Sequence, residues 1–185
     1  MTNDPADAAT RDEALRKIGR NVVLFQELES ILKFLASAQH PSMPLSEAKA
    51  TREVHTATIR VKTLGQVAGQ VVEELFAASD RESSAPDEIT EPWLAFSFRI
   101  AGDSAEIEEN HRTLKALIGE RNDLVHHVLS RWNPHEAESC RVLSAELDEQ
   151  RRRIIIEIER YRSFANTLKE GARELQEFIE SDDGK

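Results

Sequence analysis

From Arg11 to about Ala38, the apolar residues Leu15, Ile18, Val22, Phe25, Leu28, Ile31, Leu32 and Leu35 recur every three or four positions. That spacing puts them on one face and predicts a long amphipathic helix. His40-Pro41-Ser42-Met43-Pro44 ends it, because a residue before proline avoids helical geometry. Ser46 and Glu47 open a second helical stretch, expected to run to about Ala78. Its first half is weakly periodic, and its second half, Thr63 to Phe76, is more apolar. Gly65 and Gly69 share a face there, where they either admit another helix closely or mark a break.

Ser79 to Pro92 is polar and proline-bearing, and reads as a loop. Phe96, Phe98 and Ile100 then alternate with Ser97 and Arg99, which predicts one short strand or hairpin, and Ala101-Gly102-Asp103 makes a turn. A third helix is expected from about Ser104 through Leu129, ended by Trp132-Asn133-Pro134. A fourth should run from about Glu136 to Ile179, with a break near Gly171. Its stripe includes Val142, Leu147, Ile154, Ile158, Tyr161, Phe164, Leu168, Leu175 and Phe178. The pattern therefore predicts an all-α fold, a helical bundle of about four long helices with a short β element near 93–100. A single domain spans 11–180, between a flexible tail at 1–10 and a frayed end at 181–185. There is no internal repeat, and no heptad run demands a coiled coil.

Composition agrees with that picture. Across 185 residues, 39% are hydrophobic, 31% charged and only 5% aromatic, which is globular and favours helix over strand. A lone cysteine, Cys140, permits no internal disulfide and fits a reducing compartment. The first residues are polar and acidic, and no run approaches the roughly 20 apolar residues that span a bilayer. A soluble cytoplasmic protein with no membrane partner is the expectation. The net charge of −10 argues against a sequence-blind nucleic-acid binder. Between Arg121 and Arg162, however, eight basic and eight acidic residues balance, so the deficit lies elsewhere.

Charge matters most on the third helix. On a wheel at about 100° per residue, Leu114, Leu117, Ile118, Leu124, Val125, Val128 and Leu129 form an apolar stripe with Arg121 near its middle. An arginine there needs a carboxylate on a neighbouring helix, a ligand or a partner chain. Asn122 and His126 share one edge of the stripe, His127 projects from the other, and Asp123 points away from the core. A guanidinium, an amide and an imidazole so placed suit a phosphodiester. Arginine binds phosphate through its planar fork of donors, and histidine moves protons near neutrality.

Glu120-Arg121-Asn122-Asp123-Leu124-Val125-His126 resembles the Arg-X4–6-His motif of HEPN domains, in which a polar residue, often Asn, follows the Arg. The resemblance is strongest over about Leu114 to Leu129 and architectural elsewhere. It implies an all-α bundle and a metal-independent endoribonuclease acting through 2′-OH attack. His126 would be general acid/base, Arg121 would hold the phosphate and Asn122 would orient them. His127 is an alternative working residue, because the family also admits Arg-X5-His. The resemblance further implies RNA as substrate, no cofactor, and a homodimer with the two motifs facing each other. Such domains serve as toxins or in phage defence, under an antitoxin or regulatory protein. One subgroup carries a Tyr two residues after the His; this chain has Val128, so regulation by nucleotide transfer to Tyr is not implied.

Arg151, Arg152 and Arg153 are a candidate RNA-contacting patch, although interleaved Glu149, Glu157 and Glu159 also fit a solvated helix face. Trp93, Phe96 and Phe98 fit base stacking or, more simply, packing. His55 and His111 read as surface residues, and no third ligand is spaced to join His126 and His127 around a metal. The contrasting reading is a non-catalytic HEPN-like module that binds nucleotides or proteins. A third is an antitoxin or immunity protein that binds a basic partner through acidic faces.

Overall fold

A computed structural model describes residues 5–76, 92–96, 98–100 and 103–181. The elements in order are α1 (Pro5–Ala38), β1 (His40–Pro44), a 3-10 turn (Leu45–Glu47), α2 (Ala48–Arg60), α3 (Leu64–Leu75), β2 (Trp93–Phe96), α4 (Ser104–His126), α5 (Val128–Arg131) and α6 (Ala137–Glu180). The fold is an all-α helical bundle, as the periodicity predicts. No helix among the described residues is long and apolar enough to cross a membrane.

Where the elements differ from the pattern, local chemistry explains it. Helix α1 starts at Pro5, inside the expected tail. Proline suits the first turn of a helix, Asp7 complements the positive helix end, and the alanines that follow are strong helix formers. The expected second helix is split at Val61–Thr63 rather than at its glycines. Thr63 and Gln66 form a capping box that starts α3, with the Thr63 N–H donating to Gln66 Oε1 at 2.9 Å. Helix α4 ends at His126, three residues short, and α6 runs unbroken through Gly171. The frayed end expected at 182–185 lies outside the described residues.

The chain forms two compact units. Unit 1 holds 1–28 and 110–159, hence the first part of α1, most of α4, α5 and the first part of α6. It buries Phe25, Leu28, Leu114, Leu117, Leu124, Val128, Leu143, Leu147 and Ile154. Polar clasps tie α1 to α6: the fully buried Asn21 donates from Nδ2 to Leu147 O at 2.8 Å and to Gln150 Oε1 at 2.9 Å. Lys17 and Arg20 converge on Asp148 at 2.6 and 3.0 Å. The Lys17 hydrogen bond, then that of Arg20, hold the Asp148 carboxyl below its ordinary range against the opposing effect of burial.

Unit 2 holds 29–109 and 160–185. It buries Leu32, Leu35, Ile59, Val67, Val71, Leu75 and Tyr161. Phe76 and Tyr161 meet Phe164 edge-on, at 6.1 and 5.7 Å between ring centroids. The β element is confined to 93–96 and pairs antiparallel with His40–Pro44, a segment the sequence marks only as a helix stop. Its register sets Met43 opposite Leu94 and Pro44 opposite Trp93. Beyond the last pair, the Gln39 amide takes over from the ladder: Nε2 donates to Phe98 O at 2.7 Å, and Oε1 accepts the Phe98 N–H at 3.2 Å.

Candidate active site

Helix α4 begins where Asp103 Oδ1 accepts the Glu106 N–H at 2.8 Å, an N-terminal cap. Leu114, Leu117, Leu124 and Val128 are buried. They fall three, seven and four apart, so Arg121 occupies the missing place in that line, where it is half-buried. Val125 and Leu129, expected in the stripe, instead face outward at 44% and 76% exposure. The core-facing stripe is therefore narrower than the wheel implies, with an apolar flank left open beside it.

Asn122, His126 and His127 are exposed. Arg121 Nη1 donates to Asn122 Oδ1 at 3.2 Å, so arginine and amide are brought together. Among the described residues Arg121 has no carboxylate partner. The chain turns at His127, whose N–H still bonds Asp123 O at 2.8 Å and whose carbonyl accepts the Ser130 hydroxyl at 2.7 Å. That turn sets the two imidazoles 6.2 Å apart, centroid to centroid, at 64°.

The acidic neighbours of Arg121 are engaged elsewhere. Glu120 receives a two-pronged bond from Arg153 on α6, Nε to Oε1 and Nη2 to Oε2, both 3.0 Å. Asp123 is bonded by Arg131 Nη2 at 2.9 Å, and Arg131 Nη1 reaches Glu146 of α6 at 2.8 Å. The Glu146 hydrogen bond, with the charges of Asp123 and Glu146, raises the Arg131 pKa from its ordinary value, against the opposing effect of burial. These pairs frame an open groove of about 680 Å3 between α4 and α6 that includes Glu120, Asp123, Arg131, Glu146 and Arg153. None of Arg121, Asn122, His126 or His127 lines it.

No protein-family model, curated protein or solved structure matches the chain. The site is therefore judged on its own geometry. Of the candidate basic patch, Arg153 is taken by Glu120, Arg152 pairs with Glu149, and Arg151 is exposed without an ion pair among the described residues. No group of three or more His, Cys, Asp or Glu among the described residues is placed to hold a metal ion. Cys140 is buried, and His55, read as a surface residue, is half-buried with Nε2 3.1 Å from Ala36 O. Trp93 and Phe98 are half-buried. Sequence reasoning missed the Asp123–Arg131–Glu146 brace. Its members lie eight and fifteen residues apart, spacings created by the turn at His127 and by the return along α6.

Proposed function

We propose that the chain is a metal-independent endoribonuclease whose working face is the open side of α4. One observation carries the reading. Arg121 is half-buried and lacks a carboxylate partner among the described residues, in a chain with 34 acidic residues whose nearest acids, Glu120 and Asp123, are already engaged. An anionic ligand meets that need, and Asn122 and His126 stand on the same side to act on it. A phosphodiester of RNA would place its non-bridging oxygens on the Arg121 guanidinium. His126 would take the proton of the ribose 2′-OH as that oxygen attacks phosphorus. The bond from phosphorus to the 5′-oxygen breaks, and a protonated imidazole returns a proton to the leaving oxygen. The products are a 2′,3′-cyclic phosphate and a 5′-OH.

The exposed Val125 and Leu129 support a homodimer in which two such faces meet. A toxin or phage-defence role, with an antitoxin or regulatory partner, rests on the HEPN resemblance alone. The net charge of −10 favours a second reading, a non-catalytic module that binds a nucleotide phosphate or a protein at the same face.

The test is incubation of the purified chain with total RNA in EDTA, beside Arg121→Ala, His126→Ala and His127→Ala, with product ends analysed. The expected result is cyclic phosphate ends from the wild type and a loss of about 10²–10⁴-fold in Arg121→Ala and His126→Ala. DNA, which has no 2′-OH, stays intact. Loss in His127→Ala in place of His126→Ala transfers the proton chemistry to His127. RNA left uncut by the wild type rejects the nuclease in favour of the binding module.

A further inference from the structure

Along α6 the buried positions are spaced alternately three and four apart, as on a helix lying along another helix. In its later part these are Ile154, Glu157, Tyr161 and Leu168, with Phe164 half-buried between the last two. The same register continues through Gly171, Leu175 and Phe178, where burial stops: Leu175 is 48% exposed and Phe178 56%. A Cβ built on Gly171 would meet nothing within 4 Å. An apolar seam in register with a buried one, on an unbroken helix, is shaped to receive a further helix.

Charge decides which helix. At about 100° per residue, Glu170, Glu174 and Glu177 form a row along one border of this seam, and all are exposed. The two cations of this stretch are occupied, Lys169 over the Phe34 ring at 5.0 Å and Arg173 beside Glu177 at 3.8 Å. Glu170 and Glu174 have no cationic partner among the described residues. A second copy of the chain would bring the same acidic row and no basic one. An antiparallel pair of copies would also oppose like charges across the seam. We propose that the exposed α6 seam at Gly171, Leu175 and Phe178 is the docking site for a basic amphipathic helix of another protein. Leucine-type anchors would cover Leu175 and Phe178, with the shallow place at Gly171 admitting a larger side chain, and lysines or arginines would line up beside Glu170 and Glu174. This surface is separate from the α4 site and does not depend on its chemistry.

The test uses the full chain and a labelled helical peptide of about 18 residues, a length adequate for an amphipathic face. Its apolar positions are spaced three and four apart and its flanks carry lysine. Controls are a scrambled peptide of the same composition and a glutamate-flanked version. Fluorescence anisotropy near physiological salt is expected to show binding of the lysine-flanked peptide alone. Leu175→Ser with Phe178→Ser should weaken it at least about tenfold, with unchanged helical circular dichroism because both side chains are exposed. Glu170→Lys with Glu174→Lys should reverse the preference toward the glutamate-flanked peptide. Equal binding of the scrambled peptide, no binding, or indifference to both pairs of substitutions overturns the proposal. So does sedimentation showing a dimer that Leu175→Ser with Phe178→Ser dissociates, since that assigns the seam to a second copy.

Discussion

On one side of α4, Glu120 and Asp123 are each taken up by an arginine, Arg153 and Arg131. On the other side, Arg121, Asn122 and His126 have no charged partner among the described residues, although they interleave with those acids in sequence. Residues one position apart on a helix point about 100° apart, so neighbours in sequence belong to different environments. The paired side closes its charges against α5 and α6 and contributes to holding them. The open side keeps a cation, an amide and an imidazole uncommitted. Abundance of ionic residues therefore does not mark a site here; the marker is a charge left without its complement where complements are plentiful.

Substitutions can break or sharpen this contrast. The largest stability loss is expected from Leu124→Ala, which empties a buried place on α4. Truncations of this kind cost about 2–5 kcal/mol, readable by urea or thermal unfolding. Arg131→Ala comes next. It frees Asp123 and Glu146, but its side chain is 47% exposed, and solvent screening limits the loss to about 1 kcal/mol. A loss as large as that of Leu124→Ala would mean the brace is a buried keystone rather than a surface clasp. Asp148→Asn gives the smallest effect, below about 1 kcal/mol, because the carboxylate is 40% exposed. Its folded pKa is depressed, chiefly by the Lys17 hydrogen bond, so its contribution is present above the unfolded pKa of about 4. That contribution is lost as pH falls through the lower folded value. The wild type and Asp148→Asn should therefore differ in melting temperature at pH 7 and converge under strongly acid conditions.

The long helices were legible because their buried positions repeat at helical spacing over many turns, as in Leu28, Leu32 and Leu35 of α1. The break at Val61–Thr63 was also written in the chain, as Thr63-Leu64-Gly65-Gln66, but a capping signal inside an apolar run is easily outweighed by the run. Strand β1 was not legible, since prolines at 41 and 44 oppose ladder formation and its partner lies about fifty residues on. Arg121 was found because it interrupts an apolar line. Its lack of a carboxylate partner could not be read, because that depends on where α6 brings Arg153 and Glu146. The outward turn of Val125 and Leu129 likewise depends on which helices flank α4, which spacing does not specify.

The contrast between the two sides is tested most directly by measuring RNA cleavage and melting temperature for Asp123→Asn and His126→Ala together. The account predicts that Asp123→Asn melts lower and cleaves at the wild-type rate, while His126→Ala melts with the wild type and leaves RNA intact. Cleavage retained by His126→Ala, or a melting temperature lowered by it as much as by Asp123→Asn, would contradict the account and make the open side of α4 structural.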